Sequence, residues 1–158
     1  MTPLVFVDTC VLVYAHDAGQ AVKRDVARAL VLDHLGAGTL RTSTQVLAEY
    51  FSVVTSKGET PLDASAAAWL IEQLPADVVV APGFSTLRAA ARACGALGLS
   101  IWDALIVETA REAGAGVLYT EDARLVRAVN GEMEPGGAGT ALEAVDPFRG
   151  TAPASAKR

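Results

Sequence analysis

Short apolar runs that alternate with stretches of helical character constrain this chain most. Residues 4–7 form a β-branched run that ends at Asp8, the form taken by a strand buried on both faces of a parallel sheet. A brief strand centred on Leu40 and the runs 78–80 and 117–119 repeat the pattern, and 142–145 is a candidate fifth, edge strand. Between them the spacing predicts helices over 9–16 and 20–35, the second carrying a stripe of Val22, Val26, Ala29, Leu30 and Leu32 and stopped by Gly36 and Gly38. Ser43 or Thr44 is placed to cap a helix bearing Val46, Leu47, Tyr50, Phe51, Val53 and Val54. Pro61 is placed to open a helix that reaches Leu74, and further helices are expected over 84–97, from Ser100 to near Gly114, and over 123–129. The Gly- and Pro-rich stretch 130–140 is expected to be a loop. Such alternation implies an α/β domain with a mostly parallel central sheet of about five strands flanked by helices. In that architecture, ligands bind at the carboxyl ends of the strands, where the strand order reverses.

Composition narrows the class. A chain of 158 residues, 51% of them hydrophobic, is long and apolar enough for one packed core. The expected domain is 1–149, followed by a disordered tail, 150–158, of Ala, Pro, Ser, Lys and Arg. No apolar run approaches the roughly 20 residues of a membrane span, and the N-terminus has no signal-peptide pattern. Cys10 and Cys94 are too few for a disulfide scaffold and are expected to be free, buried thiols in a reducing, cytoplasmic setting. A net charge of −5 opposes coating of nucleic acid by bulk charge, though it leaves room for a local site. The groups Lys23/Arg24/Arg28, Arg88/Arg92 and Arg124/Arg127 are each expected to be a solvated helix face.

Acidic residues stand where the architecture places its chemistry. Asp8 ends the first strand and Asp122 follows the fourth at the same sheet edge; Asp103 lies in the first turn of the Ser100 helix, and Glu49 sits beside Tyr50 and Phe51. Each has an ordinary structural explanation. Asp8 and Asp122 are placed to cap the helices that follow them, Ser100-x-x-Asp103 has the form of a capping box, and Glu49 can reach solvent. Their convergence from separate segments on one sheet edge is what those explanations leave aside. Glu121 is a further acidic residue there, and strand alternation leaves its side open.

The runs Phe6-Val7-Asp8-Thr9, Ala48-Glu49-Tyr50, Ser100-Ile101-Trp102-Asp103-Ala104-Leu105-Ile106 and Leu118-Tyr119-Thr120-Glu121-Asp122 together resemble the PIN-domain ribonucleases. Within that superfamily, the chain is most similar to the VapC-type toxins of toxin–antitoxin pairs. Val145-Asp146-Pro147-Phe148 resembles the end of the domain, so the likeness extends over about 5–148. The resemblance implies an acidic site at Asp8, Glu49, Asp103 and Asp122, supported by the hydroxyls of Thr9 and Thr120. It implies a Mg²⁺-dependent endoribonuclease (Mn²⁺ an alternative ion), an RNA substrate, a cognate antitoxin protein and a homodimer. The alternatives are a non-catalytic binding module of the same fold and a PIN nuclease of RNA processing outside such a pair.

The chemistry fits the residue types. Phosphodiester hydrolysis needs an activated water and relief of charge on the phosphoryl oxygens, both of which a hard divalent ion on carboxylates supplies. Asp8, Asp103 and Asp122 are the expected metal ligands, with Glu49 completing the site or orienting the attacking water. A histidine acid–base pair is disfavoured because nothing brings His16 and His34 together. No phosphate-binding Gly loop is present. An Asp-x-Asp phosphatase would need an acid where Cys10 stands, and a receiver domain would need a lysine somewhere between Lys57 and Lys157. Trp102 is expected to be core, with stacking on a nucleobase the lesser alternative. Among the aromatics of the first three helices, Tyr14, Tyr50 and Phe51 are expected to be mostly core, with part of the set free to line a groove for an antitoxin helix.

Overall fold

The structure, a computed structural model, describes residues 2–57, 61–131 and 141–151. Five strands and seven α-helices are found among them: β1 Val5–Val7, α1 Thr9–Tyr14, α2 Ala21–Gly36, β2 Leu40–Ser43, α3 Thr44–Ser56, α4 Ala64–Glu72, β3 Val79–Val80, α5 Phe84–Leu97, α6 Ile101–Glu112, β4 Val117–Tyr119, α7 Ala123–Gly131 and β5 Glu143–Val145. All four strand pairings are parallel, in the order β3-β2-β1-β4-β5. Each crossover needs a helix, which is why strand and helix alternate in the sequence. Strands β1, β2 and β3 run outward to one side and β4 and β5 to the other, so the order reverses at the β1–β4 seam.

Strand alternation builds a core on each face. Phe6 and Leu118 point into one cluster with Val46, Ile106, Val107 and Leu125. Val5, Val7 and Leu40 point into the other with Val11, Ala27 and Phe148. Burial on both faces explains why β1 contains no polar residue. Among the described residues, no single helix is long and apolar enough to cross a membrane.

Several local expectations are corrected. Pro61 does not open a helix: Asp63 caps α4, its carboxylate accepting the Ser65 amide at 3.0 Å, so the proline lies outside the helix. Val78 closes a 3₁₀ turn, Ala76–Val78, and its amide bonds Pro75 O instead of a neighbouring strand. Of the stripe assigned to α2, Val22, Ala29 and Leu32 face solvent; Val26, Ala27, Leu30, Val31 and Leu35 pack inward. Helix α2 runs through Gly36, and the chain turns at Gly38, whose φ of +70° is left-handed. Trp102 is 63% exposed, because α6 buries Ala104, Ile106, Val107 and Ala110 and leaves position 102 off that face. Both cysteines are free and half-buried. Tyr50 is core at 3% exposure, whereas Tyr14 and Phe51 are half-buried. The loop expected over 130–140 begins as helix at Asn130 and Gly131, and 132–140 lie outside the described residues. Of the expected tail, Thr151 donates its amide and hydroxyl to Phe148 O, and 152–158 lie outside the described residues.

Candidate functional site

Asp8 leaves the carboxyl end of β1 beside the reversal in strand order. Its amide bonds Tyr119 O of β4 at 3.0 Å, which locks the seam. Its Oδ1 accepts the Thr9 amide at 2.6 Å and caps α1, as the simplest reading of the sequence expects. Its Oδ2 accepts the hydroxyl of fully buried Thr120 at 2.8 Å. The same Thr120 oxygen accepts the Asp122 amide at 3.1 Å, so one hydroxyl sets two acidic residues. Asp8 is only 8% exposed. Burial pushes its carboxyl above the ordinary value, the Thr120 and Thr9 hydrogen bonds oppose that shift, and the charges of Glu49 and Asp103 add to it.

The other carboxylates come from separate elements. Glu49, mid-way along α3, accepts the Thr9 hydroxyl on Oε2 at 2.9 Å and Gln45 Nε2 on Oε1 at 2.9 Å. Gln45 also donates to Trp102 O at 3.1 Å, tying α3 to the first turn of α6, while its Oε1 is buried without a hydrogen-bond partner. Asp103 follows in that turn. Its amide donates to Ser100 Oγ at 3.1 Å, and its Oδ2 accepts the same hydroxyl at 2.8 Å. Asp122 caps α7, its Oδ1 accepting the Arg124 amide at 2.8 Å. Arg124 Nη2 lies 3.3 Å from Asp122 Oδ2 and 3.9 Å from Asp103 Oδ2. Burial raises the Asp122 carboxyl, but the Arg124 amide and guanidinium more than offset it, leaving the group below its ordinary value.

These contacts form a closed ring, Asp122–Thr120–Asp8–Thr9–Glu49–Gln45–Trp102/Asp103–Arg124–Asp122, whose acidic members and two threonines border a cleft of about 1000 Å³. Asp8, Glu49, Asp103 and Asp122 all line that cleft. Glu121 lines it as well, but its carboxylate is already occupied: Tyr14 donates to Oε1 at 2.7 Å and Lys23 Nζ sits 2.7 Å from Oε2. Cys10 accepts the Glu121 amide at 3.4 Å, and burial beside Asp8 pushes its thiol up to about 12, which keeps it protonated and inert. The histidines have separate partners. His16 Nδ1 lies 3.2 Å from both Leu12 O and Tyr50 Oη, and His34 Nδ1 lies 2.8 Å from Thr39 Oγ1.

The donor set is all carboxylate and hydroxyl oxygen, the chemistry of Mg²⁺ or Mn²⁺. Among the described residues, no three acidic, histidine or cysteine side chains are gathered tightly enough to grip one ion directly. The arrangement fits an ion that retains several waters, as Mg²⁺ does. Gln45 and Arg124 escape the sequence reading. Gln45 stands one helical turn before Glu49, a visible spacing, but its second contact lies 57 residues away. Arg124 is separated by more than twenty positions from one of the two carboxylates it touches.

The fold is similar to that in a solved structure, "FitAB bound to IR36 DNA fragment", with a TM-score of 0.63, 14% identity, and coverage of 92% of this chain and 96% of that one. No curated protein sequence matches the chain. The model of the PIN domain family matches residues 5–130, which include all four acidic positions and both supporting threonines. The chain belongs to the PIN domain family.

Proposed function

We propose that this protein is a Mg²⁺-dependent endoribonuclease, the toxin of a toxin–antitoxin pair, acting in the cytoplasm as a homodimer restrained by its antitoxin. PIN domains are in general nucleases, and PIN nucleases in general use divalent metals. The observation that carries the reading is the convergence of Asp8, Glu49, Asp103 and Asp122 on one cleft at the β1–β4 seam. The toxin assignment rests on the sequence resemblance to VapC-type toxins.

Asp8, Asp103 and Asp122 would hold the ion in part through its own waters, and when bound the ion would lower the pKa of a water and offset charge on the phosphoryl oxygens. Thr120 fixes Asp8 and Asp122 relative to each other, and Thr9 and Gln45 hold Glu49 by its two oxygens. Glu49 is thereby placed to accept a proton from the attacking water. Lys23 and Tyr14 keep Glu121 out of the acidic group. Attack of the water oxygen on phosphorus with cleavage of the P–O3′ bond, the proton passing to the departing 3′-oxygen, would leave 5′-phosphate and 3′-hydroxyl ends.

The test uses protein freed of any partner, with structured RNAs and with DNA as a second substrate, since the FitAB structure contains DNA. Cleavage with Mg²⁺ or Mn²⁺, its loss in EDTA and its loss in Asp8→Asn and Asp103→Asn support the reading. Ends carrying 2′,3′-cyclic phosphate, or activity undiminished in EDTA, overturn it.

A further inference from the structure

The four carboxylates are not equally available to an ion, and the difference lies in Arg124. Asp122 Oδ1 is engaged by the Arg124 amide and Oδ2 by the Arg124 guanidinium at 3.3 Å. Asp103 Oδ2 meets the same guanidinium at 3.9 Å. A single side chain of this protein therefore bridges the two carboxylates that face each other between α6 and α7. Local helix energetics do not explain a cation there. Arg124 lies in the first turn of α7, where the positive end of the helix dipole opposes it.

A comparison with the ion pair on Glu121 shows how loosely the bridge is held. Lys23 is three-quarters buried and sits 2.7 Å from Glu121 with Tyr14 as a second partner, a lasting neutralisation. The Arg124 side chain is 70% exposed, its contacts are longer, and a pair so exposed is screened by solvent and easily opened.

We propose that Arg124 is a displaceable counter-cation: its guanidinium balances Asp103 and Asp122 in the metal-free protein and competes with a divalent ion for them. The inference rests on the metal-site reading above and adds the residue that sets the ion concentration at which the site fills. Entry of the ion requires the guanidinium to swing out into solvent, while the Arg124 amide continues to cap against Asp122. An ion must therefore outcompete a cation that the chain itself supplies, so the site fills at higher Mg²⁺ than the carboxylates alone would require.

The experiment is calorimetric titration of the EDTA-stripped full chain with Mg²⁺, for wild type, Arg124→Gln and Arg124→Lys, together with melting curves in EDTA. Removing one charge at this distance in a solvent-screened setting should tighten Mg²⁺ binding about fivefold in Arg124→Gln. Arg124→Lys, which keeps the charge, should stay within about twofold of wild type. In EDTA, Arg124→Gln should melt below wild type, because Asp103 and Asp122 are left facing each other. If Arg124 is an incidental surface residue, that variant melts at the same temperature or higher, through relief at the helix N-terminus, and this result overturns the inference. Wild type that binds Mg²⁺ with the same affinity as Arg124→Gln overturns the inference alone. Wild type that takes up no Mg²⁺ at millimolar concentration overturns the metal-site reading and the inference with it.

Discussion

Thr120 donates its hydroxyl to Asp8 across the β1–β4 seam at 2.8 Å, and the same oxygen receives the amide of Asp122. Two carboxylates 114 positions apart in sequence are thus positioned by one buried hydroxyl. Replacing Thr120 with the isosteric Val leaves the Asp8 Oδ2 and the Asp122 amide without that partner. The expected loss is about 2 kcal/mol of unfolding free energy, measured by urea titration, with cleavage falling roughly tenfold.

Asp8 gives the metal-free protein a characteristic pH dependence. Its carboxyl lies above the ordinary 3.8, first through burial and then through Glu49 and Asp103. The fold therefore favours the protonated form. That contribution is fully present below about pH 3.8 and is lost as the pH rises through the elevated value. In EDTA, wild type should lose stability relative to Asp8→Asn between about pH 4 and pH 7. Melting temperatures of the two proteins at both pH values check this, and a constant difference would count against a strained Asp8.

Divalent ions should reverse that disadvantage. Mg²⁺ at a hundred times its dissociation constant should stabilise wild type by about 2.7 kcal/mol. Asp8→Asn and Asp103→Asn should gain much less. Asparagine caps a helix about as well as aspartate, so a structural cap alone predicts no difference in the response to Mg²⁺. Thermal melts with and without the ion distinguish the two.

Gln45 separates activity from stability. Gln45→Met removes the hydrogen bonds to Glu49 and Trp102 O, but it also removes a buried oxygen that has no hydrogen-bond partner. The two effects offset each other, so stability should change by less than about 1 kcal/mol. Glu49 then retains only Thr9 as a holder, and cleavage should fall roughly tenfold. A rate equal to that of wild type would remove Gln45 from the site.

The aromatics of α3 divide between core and groove. Tyr50→Ala empties a packed position and should cost about 3 kcal/mol. Phe51 instead lines a shallower groove with Leu47, Ala48 and Ile71. Phe51→Ala should cost less in stability, and it should weaken a complex with an antitoxin helix if that groove receives it. Denaturant melts and a binding titration of the isolated variant measure the two effects.

The alternation of strands and helices and the acidic strand ends were legible because both depend on local pattern: continuous β-branched runs, helical spacing between them, and an aspartate at the point where a strand stops. The failures share a different cause. Pro61 and Asp63 are both sound helix-start signals two residues apart, and the bond from the Ser65 amide, visible only in the structure, makes the aspartate the cap. Trp102 looks like core by hydropathy, yet the phase of α6 is set by Ala104, Val107 and Ala110, which places it outside. Arg124 looks like a solvated face because its second partner, Asp103, arrives only when α6 and α7 come together.

The central position of β1 also orders events during synthesis. Asp8 is made more than a hundred residues before its partners Tyr119 and Thr120. Contacts of such long sequence separation form late, after the loop between them has been closed. A nascent chain that ends before β4 therefore holds Asp8, Glu49 and Asp103 without the seam that would align them. The acidic ring is completed only after residue 124 has left the ribosome, so truncated translation products are structurally barred from assembling it.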